Sequence, residues 1–196
     1  VALIGDGSLS GGEALEGLSN AAVLNSNMII IVNDNSMAIA PVEGGIYNSL
    51  AILRETKGQA KDNIFKSMGY DYYYVEDGNN VESLIKTFTK VKDSNKPVVV
   101  HIHTLKGKGY EPAEQDKETY HWQLPGFIER AGKVQPKVET YNTITNDFIL
   151  SKKKKDSSVI AVSPATPGAT GMTKEFRKQM GANYTDVGIA EQHAVG

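Results

Sequence analysis

The chain has 196 residues, enough for one large domain or two small ones with a real core. Its net charge of −2 gives no sign of nucleic acid or an anionic membrane as a partner. It has no cysteine, which excludes disulfides, thiolate nucleophiles and cysteine-based zinc sites, and its longest apolar run, residues 28–32, is far too short to span a bilayer.

Strands and helices are expected to alternate along the chain. Residues 1–4 read as a short buried strand, followed by Gly5-Asp6-Gly7. Leu15, Leu18, Ala22 and Leu24 recur at helical spacing over residues 11–24. The β-branched run 28–32 reads as a buried strand. A polar, glycine-containing stretch comes next, then a helix near residues 62–68 that stops at Gly69. Residues 71–75 read as a strand in which Tyr72, Tyr73 and Tyr74 follow β propensity. Residues 81–92 form an amphipathic helix with Leu84, Ile85, Phe88 and Val91 on one stripe, and 97–104 are another strand. This alternation predicts an α/β fold, a parallel sheet with helices on both faces.

From Lys106 to about Asn142 the periodicity lapses into prolines, glycines and charges, read as an extended active-site loop and a linker. A second α/β unit is expected beyond it: a helix near 141–151, strands at 158–163 and 185–188, a helix near 173–180 and a helix starting after Ile189. The predicted division is residues 1–128, a linker at 129–141, and 142–196 as the first part of a second, similar domain. A chain that opens in a strand and stops as a helix begins reads as a fragment. Lys152–Lys155 fall at a helix C-terminus, where cations oppose the dipole, and read as solvated surface.

Gly5-Asp6-Gly7-Ser8 sits between a strand and a helix, where open parallel sheets bind ligands. Glycines let backbone approach a phosphate, and a helix start offers free N–H groups. A carboxylate repels bare phosphate, so Asp6 makes sense there if a divalent cation such as magnesium lies between them, although Gly-Asp-Gly taken alone also suits any tight turn. Asn35 follows the next strand 29 positions after Asp6 and offers a hard, neutral amide oxygen. The two strand ends should meet at one edge of the sheet.

A Gly-Asp-Gly followed by Asn at this distance resembles the diphosphate–magnesium motif of thiamine-diphosphate enzymes. The stretch from Lys106 to Glu114, KGKGYEPAE, resembles a loop of the 1-deoxy-D-xylulose 5-phosphate synthases. Residues 186–194, DVGIAEQHA, are similar to that family's second-domain signature. Transketolases share the Gly-Ile-Ala and the glutamate, but usually not the Gln-His-Ala that follows. The resemblance runs the length of the chain, which corresponds to roughly a third of the usual family sequence.

By that resemblance the fold is a thiamine-diphosphate-binding one, with thiamine diphosphate and Mg2+ as cofactors. Asp6, Asn35 and the backbone carbonyl of Met37 are the implied magnesium ligands. Gly7 and Ser8 are implied to contact the diphosphate, with Asn35 shared, and Tyr110 to contact the cofactor. Glu191 is implied to bond the aminopyrimidine ring. The cofactor must lose a proton from its thiazolium carbon, its own amino group takes that proton, and the imino tautomer this needs calls for a carboxyl on the ring nitrogen. His121, eleven residues after Tyr110, matches a histidine near the reacting carbon.

The family's reaction joins pyruvate to glyceraldehyde 3-phosphate with loss of carbon dioxide, in a cytoplasmic homodimer that feeds isoprenoid and thiamine precursors. A transketolase-like transfer of two-carbon ketol units is the nearer alternative. A non-catalytic paralogue is the other, though a scaffold has no need of Asp6, Asn35 and Glu191. Three departures concern substrate more than cofactor: a short segment between Asn35 and Asp71, Trp122 and Gln123 beside His121, and no arginine after Pro164-Ala165. His101 and His103 share a strand face without an evident third ligand and read as packed or hydrogen-bonded. His193 belongs to the signature without a readable role, and Trp122 reads as loop packing.

Overall fold

The computed structural model describes residues 1–24, 26–41, 43–127 and 138–196. Four strands, β1 (Ala2–Gly5), β2 (Ile29–Asp34), β3 (Asp71–Val75) and β4 (Val98–His103), form one parallel sheet in the order β1-β2-β4-β3. Side chains alternate across a strand, so the β-branched runs of β2 and β4 serve two cores at once. Ile30, Val32 and Val99 face one layer with Leu18, Leu50, Leu53 and Phe65. Ile29, Ile31, Val98, Val100 and Ile102 face the other, with Leu84, Phe88 and Val91. Helices α1 (Gly12–Val23), α2 (Gly45–Glu55) and α3 (Ile64–Ser67) therefore cover one face, and α4 (Val81–Val91) the other. The expected helices on both faces of a parallel sheet are present.

Helix α2 lies inside the stretch expected to be irregular. Its signal was Ile46, Leu50 and Leu53 at helical spacing, obscured by the two glycines at its start. Leu50 and Leu53 are fully buried, and each such side chain contributes about 1.5–3 kcal/mol by leaving water. Helix α3 is a single turn, shorter than expected, and the Asn63 side chain caps it by accepting from the N–H groups of Phe65 and Lys66. Asn80 caps α4 in the same way, through Ser83 N–H.

The loop after β4 is more ordered than its composition suggests. It holds a short helix α5 (Glu111–Gln115) and a 3-10 turn at Thr119–His121. Most of the expected linker lies outside the described residues, and its last residue, Tyr141, opens helix α6 (Tyr141–Lys153). A second parallel pair follows, β5 (Ala161–Ser163) and β6 (Tyr184–Asp186), with α7 (Lys174–Met180) between them and α8 (Glu191–Val195) after. Strand β5 is shorter than expected, because the Asn183 side-chain amide takes the carbonyls of Ser157 and Val159 out of any ladder. Ala161, Phe176 and Met180 form the small core of this unit, with Ile149 and Leu150 of α6 packed on it. Lys153 does more than oppose the dipole of its own helix. Its ammonium donates to the carbonyls of Gln179 and Met180 at 2.7 and 2.6 Å, satisfying the C-terminal end of α7. No described helix is long and apolar enough to cross a membrane.

Candidate active site

Strand β2 lies between β1 and β4, so the chain leaves three neighbouring strands at one edge, through Asp6, Asn35 and Thr104. The ladder runs past the strand ends: Asp6 N–H donates to Asn33 O at 3.0 Å and Thr104 N–H to Asp34 O at 2.8 Å. Open parallel sheets place ligands at this edge.

Asp6 is buried, and its Oδ2 accepts the backbone N–H of Met37 at 2.9 Å, joining the first turn to the second. Burial, and then the negative charge of Asp34, push the Asp6 carboxyl up to about 6. Asp34 is the contrasting carboxylate. Burial alone would raise it, but hydrogen bonds from His101, Ser36 N–H and Arg54, with the Arg54 charge, hold it well below the usual carboxylate range. Its Oδ1 accepts from Ser36 N–H at 2.9 Å and holds Ser36 at φ 65°, a left-handed turn that carries the chain on to Met37.

Asn35 stands in that turn. Its Oδ1 is buried and has no hydrogen-bond partner among the described residues. A buried acceptor left unpaired costs about 1–3 kcal/mol. An amide oxygen without a protein partner, in a turn bonded to a buried carboxylate, has the donor chemistry of a hard-cation ligand. The described residues hold no group of three histidine, cysteine, aspartate or glutamate side chains suited to a metal. Magnesium needs none: one carboxylate, an amide oxygen, a main-chain carbonyl and the oxygens of a bound phosphate suit it. Asp6, Asn35 and the Met37 carbonyl are oxygen donors of those three kinds, two of them within two residues of each other and joined to the third by the Met37 N–H bond to Asp6.

Gly7 and Ser8 open a 3-10 turn, with Gly7 buried and Ser8 exposed. Only glycine fits at position 7, since a Cβ there would lie 2.7 Å from the Ala38 Cβ. The turn thus packs directly against the loop after β2.

Lys106 was read as part of a motif without a role of its own, yet it reaches this edge. Its ammonium donates to the Ala38 carbonyl at 2.6 Å. Burial pushes its pKa down despite the attraction of Asp6. A lysine just beyond a strand end on the ligand edge was the signal available. His121 lies within the field of the same amine: partial burial, then the Lys106 charge, lower its pKa. A cleft of about 610 Å³ opens beside it, lined by Ile39, His121, Trp122, Thr166 and Lys174. Trp122 is 71% exposed there and packs little. Tyr110 stands edge-on to Tyr120, ring centres 5.6 Å apart. Arg177–Glu118 and Lys174–Asp116, at 2.7 and 2.9 Å, tie the His121 loop to α7.

Glu191 begins α8 and is exposed. The turn before it reaches the Gly7 turn, because Ser10 Oγ lies 3.4 Å from the Ile189 carbonyl. His101 has the packed, hydrogen-bonded role expected, with Nε2 on Asp34 and Nδ1 on the Tyr72 hydroxyl. Tyr72 stacks on Phe65.

A parallel α/β unit with helices on both faces and a largely apolar cleft, edged by His121 and Lys174, among the loops beyond its strands belongs to the doubly wound class, whose ligand sites lie at this edge. The family profile described as 1-deoxy-D-xylulose-5-phosphate synthase matches residues 1–63 and 54–104. The chain belongs to that family. It is 36% identical over 203 residues to the 1-deoxy-D-xylulose-5-phosphate synthase of Listeria monocytogenes, covering 99% of this chain and 33% of the relative. The corresponding protein of Haemophilus ducreyi is 34% identical over 231 residues, covering 100% and 37%. The chain thus spans about a third of the length of these curated relatives. A solved transketolase from Leishmania mexicana aligns with 98% of this chain and 39% of its own at 14% identity, with a TM-score of 0.38, too low to carry a structural argument.

Proposed function

We propose that this chain forms part of an enzyme that joins pyruvate to glyceraldehyde 3-phosphate, releasing carbon dioxide and forming 1-deoxy-D-xylulose 5-phosphate. Thiamine diphosphate, when bound, supplies the nucleophilic carbon and the electron sink for decarboxylation. Asp6, Asn35 and the Met37 carbonyl hold magnesium, and Gly7 and Ser8 meet the diphosphate. Lys106, whose amine lies at the same edge, adds positive charge facing it. Tyr110 contacts the cofactor. Glu191 presents its carboxyl to the pyrimidine nitrogen and favours the tautomer that accepts a proton. His121, neutral at pH 7, exchanges a proton with a substrate oxygen. Cytoplasmic location and a homodimer belong to the same reading.

The observation that carries this reading is the buried Oδ1 of Asn35, unpartnered among the described residues, two positions before the Met37 whose N–H holds Asp6. The family to which the chain belongs supports the choice of cofactor and substrates. The test is to incubate the full-length protein with magnesium, thiamine diphosphate, pyruvate and glyceraldehyde 3-phosphate. Carbon dioxide release with a five-carbon product is expected. Ketol transfer from xylulose 5-phosphate without carbon dioxide would replace the reading with a transketolase activity.

A further inference from the structure

Tyr47 lies in the first turn of α2, and the fully buried Leu50 and Leu53 seat that helix in the core. The tyrosine is therefore presented from a rigid element. Its hydroxyl donates to the Gly7 carbonyl at 3.1 Å and lies 2.8 Å from Ser10 Oγ. Ser10 Oγ is also 3.2 Å from the Gly7 carbonyl and 3.4 Å from the Ile189 carbonyl, 179 positions away. With one proton on each hydroxyl, either Tyr47 donates to Gly7 and Ser10 to Tyr47, or Tyr47 donates to Ser10 and Ser10 to a carbonyl. The arrangement in which Tyr47 donates to Ser10 and Ser10 to the Ile189 carbonyl joins the Gly7–Ser10 turn to the turn before Glu191; the others fasten the Gly7 turn alone.

The far side of this junction is built to receive the tyrosine. Gly188 has φ 75°, and a Cβ there would sit 3.0 Å from the Tyr47 hydroxyl oxygen. A side chain at position 188 would be strained and would push the hydroxyl away. The Asp186 carboxylate pins the same turn by accepting from the N–H groups of Gly188 and Ala165, both at 2.9 Å. Burial, opposed by the bond to Ser10 and reinforced by the charges of Asp6 and Asp186, raises the Tyr47 pKa. The hydroxyl keeps its proton at neutral pH.

We propose that Tyr47, acting with Ser10, is a positioning residue that sets the separation between the Gly7–Ser8 turn and the Ile189–Glu191 turn. The inference rests on the functional reading above, in which one cofactor is held by the first turn at its diphosphate and by Glu191 at its pyrimidine. A ligand gripped at both ends gains affinity from having the second site already in place. A ligand that touches only the first turn gains nothing from that alignment. Loosening the junction weakens the spanning ligand alone.

The test compares two probes on the full-length protein with magnesium saturating: thiamine diphosphate, which spans the junction, and inorganic pyrophosphate, which occupies only the Asp6–Ser8 side. Tyr47→Phe should weaken thiamine diphosphate about five- to tenfold, the scale of one lost hydroxyl hydrogen bond, and leave pyrophosphate within about twofold. Ser10→Ala keeps the Tyr47–Gly7 bond and removes the Ser10 contacts with Tyr47, Gly7 and Ile189, of which only the last crosses the junction, so it should reproduce the split even if the tyrosine variant folds poorly. Equal weakening of both probes would mean a purely local role in the Gly7 turn and overturn the inference. So would unchanged binding of both by the two variants. If wild-type protein binds pyrophosphate but gains nothing from the thiamine portion, the functional reading fails with it.

Discussion

His101 Nε2 lies 2.9 Å from Asp34 Oδ2, and both side chains are completely buried. The imidazole's other nitrogen meets the Tyr72 hydroxyl at 2.7 Å, and Arg54 donates to the same carboxylate oxygen at 2.5 Å. The remaining carboxylate oxygen holds Ser36 N–H. A network buried inside the sheet thus supports the turn that displays Asn35 and Met37. Removing one member leaves a charged group without its partner in a site water does not reach, which costs about 3–5 kcal/mol. Arg54→Met should lower stability by about that much in urea unfolding at pH 7. A loss below about 1 kcal/mol would show that His101 and the Ser36 N–H satisfy Asp34 by themselves.

Asn35 offers a sharper separation of function from stability. Its buried oxygen has no partner among the described residues, so Asn35→Leu, unfolded with a chelator present, should leave the midpoint unchanged or raise it, a gain of up to about 1–3 kcal/mol. The same change should abolish magnesium-dependent pyrophosphate binding, measured calorimetrically. Retained binding would remove Asn35 from the proposed metal site.

The lowered pKa of His121 has a definite sign in pH dependence. Partial burial and then the Lys106 charge disfavour the imidazolium, so the neutral form persists to lower pH than for a free histidine. The acid limb of a pH–rate profile governed by His121 should lie below the ordinary value near 6.5. Lys106→Gln removes the repulsive charge and should move that limb upward. Because burial is the larger cause, the limb should not return fully. A limb that stays fixed would break the link between the two residues. His121→Ala should lower turnover by about 10²–10⁴-fold if it is an acid–base group.

Glu191→Gln retains size and most hydrogen bonding but cannot share a proton with the pyrimidine nitrogen. In the full-length protein it should leave magnesium–pyrophosphate affinity intact. Deuterium exchange at the thiazolium carbon, with thiamine diphosphate saturating, should become much slower. Equal exchange in mutant and wild type would deny Glu191 the activating role.

The strands, most of the helices and the edge motif were legible locally. A β-branched run such as residues 28–32 states its own burial, and Gly-Asp-Gly or an amphipathic stripe such as Leu84–Phe88–Val91 is complete within a few residues. Helix α2 escaped because two glycines at its start outweighed three apolar residues at helical spacing. The pairing of Asp34 with His101, the reach of Lys106 to Ala38 and the meeting of Ser10 with Ile189 join residues 67, 68 and 179 positions apart. A run of residues records which of its own faces avoids water, because burial acts on each side chain where it stands. It carries no record of which distant groups that face will meet. That is decided by strand register and by the packing of one unit against the other: parallel pairing puts Val32 beside His101, and the turn at Gly188 leaves room for the Tyr47 hydroxyl.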